Sequence, residues 1–150
     1  MINMELPALF ERDLLKLKEE INLYKNEEHL WVVKAGISNS AGNLCLHLIG
    51  NLNHFIGATL GNTGYVRQRD LEFSTKNTPR AELNADLDNV TALVTSVLSN
   101  LEAKDYEKNF PLMKHDKVVT TEHMLLHLLT HLSYHLGQIN YHRRLVGESI

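Results

Sequence analysis

The chain has 150 residues, 43% of them hydrophobic, enough for one domain with a real apolar core. Lys and Arg number 15 against 18 Asp and Glu, for a net charge of -3. No Lys/Arg-rich run occurs, so the composition argues against a nucleic-acid partner. The single cysteine, Cys45, excludes an internal disulfide framework. The N-terminus is charged by Glu5 and lacks the apolar core of a signal peptide. No window approaches the roughly 18 apolar residues of a membrane span. The expectation is a soluble, cytoplasmic protein with no membrane partner.

The first predicted helix runs from Met4 to about Asn26, with Phe10, Leu14, Leu17, Ile21 and Tyr24 at spacings of three and four. Pro7 is expected in its first turn, where a missing N–H is harmless. A Gly/Ser/Asn cluster follows, in which Ser38, Asn39 or Ser40 can cap the second helix. That helix reaches about Leu60 and is stopped by Gly61, Asn62 and Gly64. Residues 62–77 carry neither helical nor strand period and read as a long polar loop. Thr78 and Pro79 predict an N-cap followed by proline at the first helical position. The third helix then runs to about Glu102 on the stripe Leu83, Leu87, Val90, Leu93, Val94, Val97 and Leu101. A second long connection, 103–119, contains a segment, FPLMKHDKVV, with the look of a short β-hairpin. Thr120 is expected to cap the last helix, which extends to Leu145, with Glu122 near the positive end of its dipole. Four helices in one domain spanning 1–150 predict an all-α antiparallel bundle with long loops after the second and third helices.

The chemistry lies in the last helix. Histidines stand at 123, 127, 131 and 135, each four residues after the previous one, with another at 142. They alternate with leucines, and no Lys, Asp or Glu occurs between Glu122 and Arg143, which predicts a helix buried on most sides. Histidines at i and i+4 lie about 5–6 Å apart at Cβ and can converge on one ion at about 2.0–2.1 Å. A third ligand has to come from elsewhere, and the second helix offers His47 and His54, with Asn43 and Asn51 on the same stripe as His47. Spacing alone does not choose among the pairs 123/127, 127/131 and 131/135. His29, His54, His115 and His142 take the commoner reading of hydrogen-bonded or surface imidazoles, and His123 that of a residue at the helix start. Cys45 falls on the apolar face of its helix and reads as core, and Trp31 as packing.

The segment HLSYHLGQINYHRR resembles the last-helix motif of the DinB/YfiT-like superfamily, His-x-x-x-His followed by Gly-Gln, at His131, His135, Gly137 and Gln138. SNSAGNLCLHLIGNLNHFI resembles the family's second helix, where His47 matches the third ligand. RQRDLEF, at 67–73, is similar to a segment of one branch of the family. The resemblance implies a four-helix bundle holding a divalent ion, nickel or zinc, on His47, His131 and His135. His127 stays as the substitute ligand.

It also implies a homodimer, and an enzyme that uses a low-molecular-weight thiol as a transferase. Hydrolysis and non-catalytic binding of a metal or small molecule are the alternatives. Three neutral imidazoles leave such an ion its charge and an open position, the pattern of catalytic rather than structural sites. Gln138, Asn51, Asn43 and Asn140 are candidates for a second ring around the ligands. Arg67, Arg69, Asp70 and Glu72 are candidates for gating the ion or holding an acidic substrate, or for a salt-bridged loop. Arg143 and Arg144 complement the dipole at the end of the last helix.

Overall fold

The computed structural model describes residues 1–147, which contain six helices and no strand. They are α1 (Ile2–Leu23), α2 (Ala41–Leu52), α3 (Arg69–Ser74), α4 (Arg80–Ser99), α5 (Ala103–Glu107) and α6 (Thr121–Gly147). Among the described residues no helix is long and apolar enough to cross a membrane.

The periodic stripes build the core. Leu6, Phe10, Leu14, Leu17 and Ile21 of α1 meet Leu83, Leu87, Val90, Val94 and Leu98 of α4 and Leu125, Leu128, Leu132, Leu136 and Ile139 of α6. Cys45, Leu48 and Leu52 of α2 belong to the same cluster. α1 lies against α4 and α6, and α2 lies against the same two helices. The partners Lys18–Asp88 (2.7 Å) and Asn22–Asn84 (2.9 Å) run in opposite numerical order, so α1 and α4 are antiparallel.

The direction of α2 relative to α6 follows from both of its ends. At its start, Gly42 lies so close to Trp31 that a Cβ there would sit 2.7 Å from the indole ring. The neighbouring Val32 carbonyl accepts a 2.8 Å bond from His142 near the end of α6. Beyond its other end, the Phe55 ring lies tilted 6.4 Å from that of Phe110, whose N–H donates to the Val119 carbonyl just before α6 begins. α2 and α6 are therefore antiparallel.

Several boundaries differ from the sequence reading. Ser40 is the cap of α2, its hydroxyl accepting the Asn43 N–H at 3.2 Å. Past Leu52 the helix widens into a π-helical turn, Asn53–Ala58, before closing at Thr59–Gly61 and stopping at Asn62 with φ 51°. Gly57 and Gly61 let this turn approach α4, since a Cβ at either would fall within 2.8 Å of Leu93 or Val97. α1 begins at Ile2, so Pro7 sits in its second turn and removes one helical bond near the free end.

α4 begins after Pro79, not Thr78, and its first N–H is held by the Glu27 carboxylate from the 3₁₀ turn Glu27–Trp31. The predicted loop 62–77 contains α3, and the 103–119 connection contains α5. The expected hairpin is reduced to two isolated bridges, Asn109–Thr120 and Lys114–Lys117, around a turn with positive φ at His115 and Asp116. Thr120 does cap α6, its hydroxyl accepting the His123 N–H at 3.1 Å.

α6 is less enclosed than its lack of charges predicts: Leu126, Tyr134 and Tyr141 are exposed, and a Cβ at Gly137 would meet nothing. Its opposite side is tied to α1 by polar groups. Glu20 is 6% exposed and is held by Arg143 Nε and Asn140 Nδ2, both at 2.7 Å. Arg143 thus pairs with a carboxylate besides complementing a dipole, and Asn140 faces away from the histidine cluster. His142 is buried between Tyr24, whose hydroxyl lies 2.7 Å from Nδ1, and the Val32 carbonyl, 2.8 Å from Nε2. Burial pushes His142 below the usual imidazole range, in keeping with a neutral ring that donates from Nε2 and accepts at Nδ1. His142→Ala removes both bonds and leaves a void. It should lower unfolding free energy by about 2–4 kcal/mol in denaturant titrations, whereas the exposed, helical His123→Ala should change it by about 0.5 kcal/mol or less.

Candidate metal centre

The antiparallel run of α2 against α6 brings His47 opposite two successive turns of α6. His47 Nε2 lies 3.2 Å from His131 Nε2, and His131 Nε2 lies 3.1 Å from His135 Nε2. One ligand atom from each of the three falls within 4.8 Å of the other two, close enough to bind one metal ion. Four ligands at about 2.0–2.1 Å in a tetrahedron stand about 3.3 Å apart, so the observed spacings fit such an ion. His127 stacks 6.3 Å from His131 but lies outside this cluster.

The outer nitrogens decide which way the lone pairs point. His47 Nδ1 is 3.0 Å from Glu72 Oε1, and His135 Nδ1 is 2.7 Å from Gln138 Oε1. An oxygen acceptor places the proton on Nδ1, which leaves Nε2 of both rings bare and directed inward. Neutral rings meeting lone pair to lone pair repel, and a shared cation removes the repulsion. A proton serves poorly: burial, then His135 and His47, push His131 down to about 4. Burial also lowers His47, against the opposing pull of Glu72. The donor set therefore fits a divalent ion better than it fits protons.

Glu72 organises the other side. It is 6% exposed and takes a two-pronged pair from Arg67, Nε to Oε2 and Nη2 to Oε1, each 2.9 Å. Its carboxyl group fills the space where a Cβ on Gly50 would be, with the carboxyl carbon 2.7 Å from that position. α3 is fixed there by Asn43, whose amide donates to the carbonyls of Glu72 (2.9 Å) and Thr75 (2.8 Å). Phe73 lies 4.9 Å from the His47 ring, and Arg69 stacks over Phe73 at 5.2 Å. Arg69 and Asp70 are exposed and touch none of the three histidines. Asn51 is buried one turn past His47. The cleft of about 410 Å³ between α2, α3 and α4 reaches the back of Glu72 but includes none of the three histidines.

The sequence named Glu72 only as a gating or salt-bridging residue, and it gave Gly50 no role. Both belong to the support of His47. The available signals were an arginine and a glutamate five residues apart in a loop, and a glycine inside an apolar helix.

Fold and site together define an all-helical protein with a three-histidine cluster able to hold a metal ion. A family model described as a protein of unknown function, DUF1572, matches residues 11–149, and the chain belongs to that family. Comparisons with curated proteins and with solved structures return no match.

Because Glu72 occupies the space a methyl group on Gly50 would need, Gly50→Ala should displace it and free the His47 ring. Zinc affinity, measured by competition with a chelating dye, should fall about 10–100-fold while the helical circular dichroism is retained. Unchanged affinity would separate Glu72 from the site.

Proposed function

We propose that the chain is an antiparallel four-helix bundle of DinB/YfiT type, formed by α1, α2, α4 and α6, and that it is a divalent-metal-dependent enzyme. In this reading His47, His131 and His135 hold nickel or zinc, and the reaction transfers a low-molecular-weight thiol. The supporting observation is the inward turn of the histidines, two of them preset by Glu72 and Gln138. A bound ion supplies a Lewis-acidic position at which a thiol or water gives up its proton near neutral pH.

The chain's own residues hold and orient this position. Arg67 fixes Glu72, Glu72 holds the Nδ1 proton of His47, and Gln138 does the same for His135. His131 and His135 are half-buried, so the cluster is reachable from solvent on the α6 side. The chain offers no nucleophilic thiol itself, because burial pushes Cys45 up to about 12. A thiol reaction here therefore needs a small thiol from outside, in keeping with a cytoplasmic location.

The same reading makes the protein a homodimer. The exposed Leu126, Tyr134 and Tyr141 and the uncovered Gly137 give α6 an apolar strip beside the cluster. Light scattering should give twice the chain mass for the wild type and the single-chain mass for Tyr134→Glu. A monomeric wild type would remove the dimer from the proposal.

Metal analysis of protein purified without a histidine tag tests the centre. One ion per chain is expected in the wild type and in His127→Ala, and none in His131→Ala or His135→Ala. Loss in His127→Ala with retention in His135→Ala would move the site one turn along α6. Conjugation of an electrophile with small cellular thiols, with and without chelator, tests the reaction. Metal-dependent ester or amide hydrolysis without thiol transfer would make the protein a hydrolase, and no turnover in either assay would make it a binding protein.

A further inference from the structure

The cleft between α2, α3 and α4 lies outside the histidine cluster. Its volume of about 410 Å³ is within the range of small-molecule sites, and its lining is one-sided in charge. The described residues that line it include Glu72, Glu82 and Asp86, but no Lys, Arg or His. Arg67 neutralises Glu72. Two carboxylates remain, Glu82 and Asp86, four residues apart and so neighbours on one face of α4.

Asp86 is set apart from the other carboxylates withdrawn from water. The three buried ones each hold an arginine: Asp13 with Arg12, Glu20 with Arg143 and Glu72 with Arg67. Asp86 is half-buried, and no described donor or cation reaches its carboxylate. Burial and the like charge of Glu82 both push it above the usual carboxylate range. A cation held between the two carboxylates relieves both costs.

The rest of the lining selects the kind of cation. Tyr65 stands near enough to Asp86 that burial, Glu72 and Asp86 together push its hydroxyl above the ordinary phenol range. An aromatic ring beside a carboxylate suits an ammonium group. Leu46, Ile49 and Leu71 give the cleft an apolar wall, and Leu71 is 51% exposed. A hydrated metal ion would use the carboxylates and leave that wall idle, whereas carbon attached to the cation covers it.

We propose that this cleft is a binding site for an organic ammonium ion, a primary amine on a short apolar chain. Asp86 and Glu82 accept its N–H groups, and its chain lies against Ile49, Leu71 and Tyr65. The site includes none of the three histidines, so it stands whether or not they hold a metal.

Titration of the protein with n-butylammonium chloride near neutral pH tests the site, read by methyl NMR. Saturable shifts are expected at Leu46, Ile49 and Leu71, while sodium butyrate and 1-butanol leave these methyls in place. Asp86→Asn keeps the shape and removes the charge, and it should weaken binding about tenfold. Glu82→Gln, on an exposed side chain, should weaken it in the same direction and decides the matter if Asp86→Asn does not fold.

An equal response to butyrate or butanol would make the cleft an unselective apolar surface and overturns the proposal. So does binding that survives undiminished in the carboxylate variants, or the absence of any shift at the three methyls. Magnesium displacing butylammonium mole for mole overturns it too, in favour of an inorganic cation.

Discussion

The Glu72 carboxylate is the contact on which the rest of the site depends. It meets a guanidinium from one side and an imidazole from the other, and it occupies the room left by a glycine. Taking a carboxylate out of water is costly unless its oxygens are fully engaged, and here the partners come from α2 and from the residues just before α3. α3 is short, and little of its surface is apolar core. Its position is determined by Asn43, Arg67 and the carboxylate itself. Segment 62–77 is therefore a brace against α2, and the orientation of His47 is what the brace fixes.

Much of the fold was legible because helices that bury one face repeat their apolar residues at the helical period. The stripe of α1 fills the core residue for residue from Phe10 to Ile21, and on α4 Leu83, Leu87, Val90 and Val94 do the same. Val97 and Leu101 pack only at its edge, while Leu98, outside the expected stripe, is buried. α3 left no such trace, since six residues span less than two turns and only Glu72 is buried among them. The π-helical turn after Leu52 was also invisible, because widening a helix by one residue leaves the composition unchanged. The carboxylate that caps α4 comes from Glu27, more than fifty positions earlier, and local capping rules do not reach that far.

The candidate site was legible in the same uneven way. Four evenly spaced histidines on α6 are equivalent by period, and the structure separates them by what stands opposite. His131 and His135 face His47, while His123 is exposed at the helix start and His142 belongs to a clasp with Tyr24 and Val32. The absence of charges along α6 suggested burial on most sides, but half of the explanation lies elsewhere. One side of the helix is core, one carries the cluster, and a third is open to solvent with tyrosines in place of lysines. The roles of Glu72 and Asn140 depended on contacts with distant helices, and periodicity carries no information about those.

His47 and His131 are 84 positions apart along the chain. Anything that grips both ties off a loop of 84 positions; a grip that persisted in the unfolded chain would restrain it, whereas one made only in the folded state stabilises by binding alone. The grip also has a direction in time. α6 comes after α1, α2 and α4 along the chain, so the cluster cannot form while only those three have been made. During synthesis the early helices expose His47 alone, and a single imidazole is a weak trap for a stray ion. The three imidazoles come together only once α6 has docked.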